Sequence, residues 1–129
     1  MSKREMIEAI TSTLHWHRPR PRHPMEAITV VRAAVAGSPA LAQQRKDCEE
    51  LVDAVLGRSA SVSECDLSAS TFGDLMREIE ERPPRVVVSV DPTRVTRQAD
   101  EYDEFLEACD RNGVKFHCCE APLLIVITS

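Results

Sequence analysis

Residues 86–97 read VVVSVDPTRVTR, and the fold of the chain follows from how this stretch is interpreted. Val86, Val87, Val88 and Val90 place four valines within five residues, the pattern of a strand buried on both faces of a parallel sheet. The run stops at Asp91-Pro92. Arg94 and Arg97 follow, opening what reads as a helix through Tyr102, Phe105, Leu106 and Cys109. Open α/β sheets bind ligands outside the carboxyl ends of their strands, which is where these arginines would stand. On one helical face, three residues apart, their guanidinium forks suit phosphate oxygens, so the expected ligand is a phosphate or a nucleic-acid backbone.

Working outward from this strand, the chain alternates strand and helix from Glu26 onward, the signature of a parallel α/β sheet. A first strand is expected at Ala27–Ala34. Ser38 and Pro39 then supply an N-cap and a first-turn proline for a helix with Leu41, Cys48, Leu51, Val52, Val55 and Leu56 on one face, ended by Gly57. A second strand is expected at Ser61–Cys65. Thr71 and Asp74 make a capping box for a helix that buries Phe72, Leu75, Met76 and Ile79 and breaks at Pro83-Pro84. The third strand, Arg85–Val90, is expected at or beside the sheet centre. A helix over about Gln98–Arg111 closes at Asn112-Gly113, a strand follows at Val114–Cys118, and Pro122 introduces Leu123–Ile127 as a fifth. The expected fold is a three-layer α/β/α domain with a mostly parallel sheet of four to five strands, preceded by an N-terminal helix.

The first 25 residues differ in character from residues 26–129, which form the α/β domain. Ser2 and Glu5 form a capping box ahead of the stripe Met6, Ile7, Ile10 and Leu14, and Trp16 stands at its end. Alternating prolines make Arg18–Pro24 an extended basic linker. This arm reads either as reaching into a DNA groove, with the helix as an oligomerisation element, or as a helix packed on its own domain. Short helices seldom persist without packing, which favours the second. The His15-x-His17 pair reads as an exposed tail rather than a metal site.

Charge follows the same division. Residues 1–25 hold five Lys/Arg against two Glu, a balance of +3, while residues 26–129 hold eleven against nineteen acids, a balance of −8. An acidic body repels DNA at long range, although a local arginine cluster still binds phosphate. At 129 residues, 43% hydrophobic and 29% charged, the chain has the composition of one globular domain. No apolar run is long enough to cross a bilayer and no signal-peptide pattern opens the sequence, so no membrane contact and a cytoplasmic location are expected. Cys48, Cys65, Cys109, Cys118 and Cys119 are odd in number and irregularly spaced, which implies reduced thiols in place of a disulfide framework. Cys118-Cys119 has no second pair at ligand spacing, so neither a metal nor another cofactor is expected.

Five features occur in a fixed order. They are Val30-Val31-Arg32-Ala33-Ala34 closing the first strand, Gln44 within LAQQRKDCEEL, Asp66 within ECDLSAS, the arginines of PTRVTR, and GVKFHCCE ending at Glu120. Together they resemble the catalytic domain of the serine recombinases, the resolvase and invertase family of site-specific DNA recombinases, over about residues 27–120. In that family the first strand leads through an arginine and a hydrophobic residue to the nucleophilic serine, and a segment close to D-R-L-S-R follows the third strand. The resemblance implies a resolvase-like fold with Arg32, Arg94 and Arg97 binding phosphate or DNA, supported by Gln44, Asp66 and Asp91.

The departures bear on chemistry. Ala34 stands at the nucleophile position and has no oxygen to attack phosphorus. The arginine that the family carries before its second helix falls at Ala69 or Ser70. Thr93 stands where an aspartate precedes the paired arginines, unless Asp91 substitutes. Neither the family's long dimer-joining helix nor a carboxyl-terminal DNA-binding domain is expected in this chain. A recombinase must activate a hydroxyl, stabilise charge on the attacked phosphate and protonate a leaving oxygen. Arginines serve the second task, but without a nucleophile no covalent protein–DNA linkage forms. Ser38 is the nearby replacement and reads better as a helix cap. Each arginine also has a purely structural reading: Arg32 pairs with Asp66 or Asp91, and Arg94 and Arg97 bridge to Asp100 and Glu101.

No catalytic residue is expected. The sequence points first to a catalytically degenerate recombinase-like protein acting as a DNA-associated accessory or regulatory factor. The alternative is a protein-interaction or oligomerisation module, a homo-oligomer or partner-binding domain without DNA contact. An active recombinase comes third. If the strand assignments hold, Arg32, Arg94 and Arg97 converge on one pocket at the carboxyl edge of the sheet, compensated by a bound anion or by Asp66 and Asp91.

Overall fold

All four residues of Val86–Ser89 are buried, because this strand lies inside the sheet with a parallel neighbour on each side. The computed structural model describes residues 24–120. Within them the elements are β1 (Ala27–Val31), α1 (Ala40–Leu56), β2 (Val62–Asp66), α2 (Phe72–Glu81), β3 (Val86–Ser89), a 3-10 turn (Pro92–Arg94), α3 (Ala99–Arg111) and β4 (Lys115–Cys118). The strand order is β2-β1-β3-β4, and all three pairings are parallel. Register aligns Val30 with Cys65 and Ser89, so β1 and β3 share the interior while β2 and β4 form the edges.

Side chains that alternate across the sheet feed two cores. On one face Ala27, Val86, Val88 and Val90 pack against Cys48 and Val52 of α1. On the other, Ile28, Val30 and Val87 meet Leu75 and Ile79 of α2 and Phe105, Ala108 and Cys109 of α3. One helix on one face and two on the other is what right-handed crossovers demand when the first connection steps one way from β1 and the later ones step back past it. The result is the expected α/β/α layering, built on four strands among the described residues.

Local chemistry sets the element ends. Thr71 caps α2: its hydroxyl accepts the Asp74 N–H at 3.0 Å while the Asp74 carboxylate accepts the Thr71 N–H. At the end of α3 the Val114 N–H reaches the Cys109 carbonyl and the Gly113 N–H the Asp110 carbonyl, a pattern that needs the positive φ of Gly113 (70°). Ser38 Oγ accepts the Ala40 N–H at 3.2 Å, but α1 starts one residue later than expected: Pro39 holds the N-cap position, and no side chain caps the helix from there.

Two expectations are corrected. The first strand ends at Val31 and not Ala34, because the Arg32 N–H and C=O that would extend the ladder are taken by the Gln44 side chain. Arg94 and Arg97 do not share an α-helical face. Asp91 accepts the Thr93 N–H and starts a 3-10 turn that contains Arg94, Arg97 lies in the following loop, and α3 begins only at Ala99. The expected N-terminal helix, the Arg18–Arg22 part of the linker and the Leu123–Ile127 strand lie outside the described residues.

Candidate anion-binding cleft

In the order β2-β1-β3-β4 the chain leaves β1 toward one side and later passes to the other, so the loops after β1 and β3 diverge and leave a crevice at their carboxyl ends. A cleft of about 540 Å³ occupies that place. Arg32, Ala33 and Ala34 reach it from the loop after β1, Leu67, Ser70 and Thr71 from the β2–α2 connection with Phe72 opening α2, and Arg94, Thr96, Arg97 and Gln98 from the β3–α3 connection with Glu101 in the first turn of α3. The three arginines named from sequence therefore line one cleft, although they do different things there.

Arg32 is a brace. Its Nε donates to the Arg94 carbonyl at 3.1 Å and its Nη2 to the Val95 carbonyl at 2.9 Å, which fastens the β3 loop to the end of β1. Its own backbone is held by the buried Gln44: the Arg32 N–H donates to Oε1 at 3.0 Å and Nε2 donates to the Arg32 carbonyl at 2.7 Å. Arg94 reaches back the other way, with Nη1 donating to the Arg32 carbonyl at 3.4 Å. Its Nε stands 3.9 Å from Asp91 Oδ2, too far for a hydrogen bond, and so feels that carboxylate through charge alone.

Arg97 is exposed and has no hydrogen bond or ion pair among the described residues, so its whole guanidinium fork is available. Neither Asp100 nor Glu101 holds it. Asp100 Oδ1 accepts the Glu101 N–H, and Glu101 accepts the Thr96 hydroxyl at 2.6 Å. The Arg32–Asp66 and Arg32–Asp91 pairs do not form. Asp66 Oδ1 accepts the Ser68 N–H at 2.8 Å, and Asp91 Oδ1 accepts both the N–H and the hydroxyl of Thr93. Main-chain carbonyls, more than carboxylates, compensate the clustered cations.

Ala34 lines the cleft and brings no nucleophile. Ser38 is not among the lining residues, and its oxygen accepts the Ala40 N–H at the start of α1. The cleft's own hydroxyls are engaged: Ser70 donates to Asp74 Oδ2 at 2.9 Å, Thr71 caps α2 and Thr96 binds Glu101. The Asp74 carboxyl is held below its ordinary range by the Ser70 hydroxyl and by the N–H and hydroxyl of Thr71, so a carboxylate stands behind this wall. Sequence reasoning missed Ser68, whose hydroxyl accepts the Ala33 N–H at 2.7 Å, and the Thr96–Glu101 pair. Asp66 two residues before Ser68 is the spacing of an Asx turn, a signal the sequence did carry.

No disulfide joins the five cysteines, and among the described residues no group of three or more His, Cys, Asp or Glu is placed to hold a metal ion. No helix among them is long and apolar enough to cross a membrane.

No family model matches the chain, and no curated protein matches it. Among solved structures the chain is similar to the first open reading frame in transposon ISC1904 from Sulfolobus solfataricus P2, with a TM-score of 0.60 and 18% identity, over 75% of this chain and 69% of that one. The likeness is one of fold.

Proposed function

We propose that this chain is a catalytically degenerate serine-recombinase-like protein that grips a phosphodiester backbone without cutting it, as a DNA-associated accessory factor. The observation that carries this reading is the cleft itself: Arg32, Arg94 and Arg97 line it, and Ala34 lines it with them. Arg97 is the direct anion contact in this reading, Arg94 the second, and Arg32 holds the loop that presents them. Cationic forks with no adjacent nucleophile bind phosphate and stop there.

Titrating duplex DNA at several salt concentrations tests the reading. Replacing Arg94 and Arg97 together with alanine should weaken binding and reduce the salt slope by about one unit for each phosphate that is no longer gripped. Binding unchanged by both substitutions would place the DNA elsewhere on the protein. Incubation with supercoiled DNA should yield no covalent protein–DNA adduct, and an adduct that vanishes in Ser38→Ala would show that a nucleophile had moved.

The second reading, an interaction or oligomerisation module, is favoured by the acidic balance of residues 26–129, eleven bases against nineteen acids. It gains if no DNA binding is detected even at low salt.

A further inference from the structure

The cleft is chemically two-sided, which a site for bare phosphate does not require. Because β1 lies between β2 and β3, its loop forms the middle of the cleft and the two neighbouring connections form opposite walls. The wall after β3 carries Arg94, Arg97 and Gln98, together with Thr96 and the Glu101 carboxylate that accepts its hydroxyl. The wall after β2 carries Leu67 and the half-buried ring of Phe72 beside the engaged hydroxyls of Ser70 and Thr71, and Ala34 continues the apolar surface from the middle. Phe72 is fixed by its place in α2, directly after the Thr71 cap, with its ring against the α2–α3 core. The Gln98 side chain has no hydrogen-bond partner among the described residues, so an amide donor and acceptor also face the cavity.

Resting on the phosphate-binding reading, the geometry points to a more specific ligand: one unstacked nucleotide of a single-stranded nucleic acid. Its phosphate lies on Arg97 and Arg94, its base lies against Phe72, and its base edge is within the province of Gln98. A cavity of about 540 Å³ is of the size that holds a small organic group together with its charge. The face of a base is hidden within a duplex and offered by a single strand, where stacking on an aromatic ring contributes about 1–3 kcal/mol per base. A cationic wall opposite an aromatic one is the arrangement single-strand binders use to combine backbone attraction with sequence-tolerant stacking.

The test compares three probes at low salt by fluorescence anisotropy: an eight-nucleotide oligothymidylate, an abasic oligonucleotide of the same length and charge, and a duplex of equal phosphate count. The intact protein should bind oligothymidylate about tenfold more tightly than the abasic strand, a ratio within the stacking range above. Phe72→Leu should erase that preference and leave abasic binding unchanged, whereas Arg97→Ala should weaken both. The comparison between probes needs only the unsubstituted chain, so it stands even if Phe72→Leu fails to fold. Equal binding of the thymidine and abasic strands would overturn the nucleotide pocket while leaving the phosphate cleft intact. Tighter binding of the duplex than of either strand would also overturn it. No binding of any probe would remove the phosphate cleft and this inference together.

Discussion

Gln44 applies both ends of one amide to one residue, donating to the Arg32 carbonyl and accepting its N–H, from a buried position in α1. Replacing Gln44 with leucine keeps the volume, leaves the Arg32 N–H without a partner and leaves the Arg32 carbonyl only the 3.4 Å contact from Arg94 Nη1. An unpaired main-chain group costs about 1–3 kcal/mol, so the urea midpoint should fall by a clearly measurable amount. Binding of phosphate-bearing ligands should weaken as well, since Arg32 no longer starts from a fixed backbone. The cysteines give a second expectation at this scale. Burial pushes the Cys48 and Cys109 thiols up to about 12, with Cys119 beside Cys48 adding to the effect there. In the unfolded chain these thiols ionise near their ordinary value. Between that value and about 12 the folded form keeps protons the unfolded form gives up, so stability is fully present below the window and falls as pH rises through it. Urea midpoints from pH 7 to 11 should therefore decline on the alkaline side, on the order of 1 kcal/mol per pH unit for each buried thiol, and Cys109→Ala should flatten the decline.

At the scale of elements, the start of α2 is held by a reciprocal pair, and Thr71→Ala should lower stability by about 0.5–2 kcal/mol, read as a shift in the thermal midpoint. The pair was visible in sequence because capping chemistry is local: Thr71 and Asp74 are three apart, and Asn112-Gly113 announces the end of α3 in the same way. The buried interior position of Val86–Ser89 was legible too, since three valines in succession, with a fourth at Val90, fit a strand covered on both faces. What escaped was long-range. Nothing near Arg32 in sequence says that its guanidinium closes on carbonyls 62 and 63 residues away. Nor does the spacing of Arg94 and Arg97 reveal that Asp91 and Pro92 divert the chain into a 3-10 turn before α3 begins. Membership of the cleft followed from strand order; the division of labour among its arginines followed from loop geometry that no periodicity encodes.

For the molecule as a whole, the field of the body opposes its own cleft. Asp103, Glu104 and Glu107 are exposed on α3, the helix that follows the Arg94–Arg97 loop, and a nucleic-acid backbone approaching the cleft feels them. Changing all three to their amides should raise affinity for an oligonucleotide several-fold at low ionic strength. The gain should shrink as salt shortens the screening length toward ~8 Å at physiological strength. A gain that persisted unchanged at high salt would mean that these carboxylates touch the ligand directly and do not act through the field.

The strand order has a consequence for how the chain comes into being. β1 lies in the middle of the sheet, yet its neighbour β3 is made about 60 residues later, with Ala27 waiting for Val86. During synthesis the emerging amino-terminal half can pair β1 with β2 but has nothing to cover the other edge of β1, and Ile28 and Val30 lack their β3 neighbours until Val87 leaves the ribosome. Such a nascent chain is an open sheet fragment with a sticky edge, the kind of species that associates with its own copies. Ribosome-bound chains halted at the Pro83-Pro84 break should accordingly remain protease-sensitive. Chains extended past β4 and clear of the exit tunnel should become resistant in one step, as β3 takes its central place and β4 pairs with its open edge.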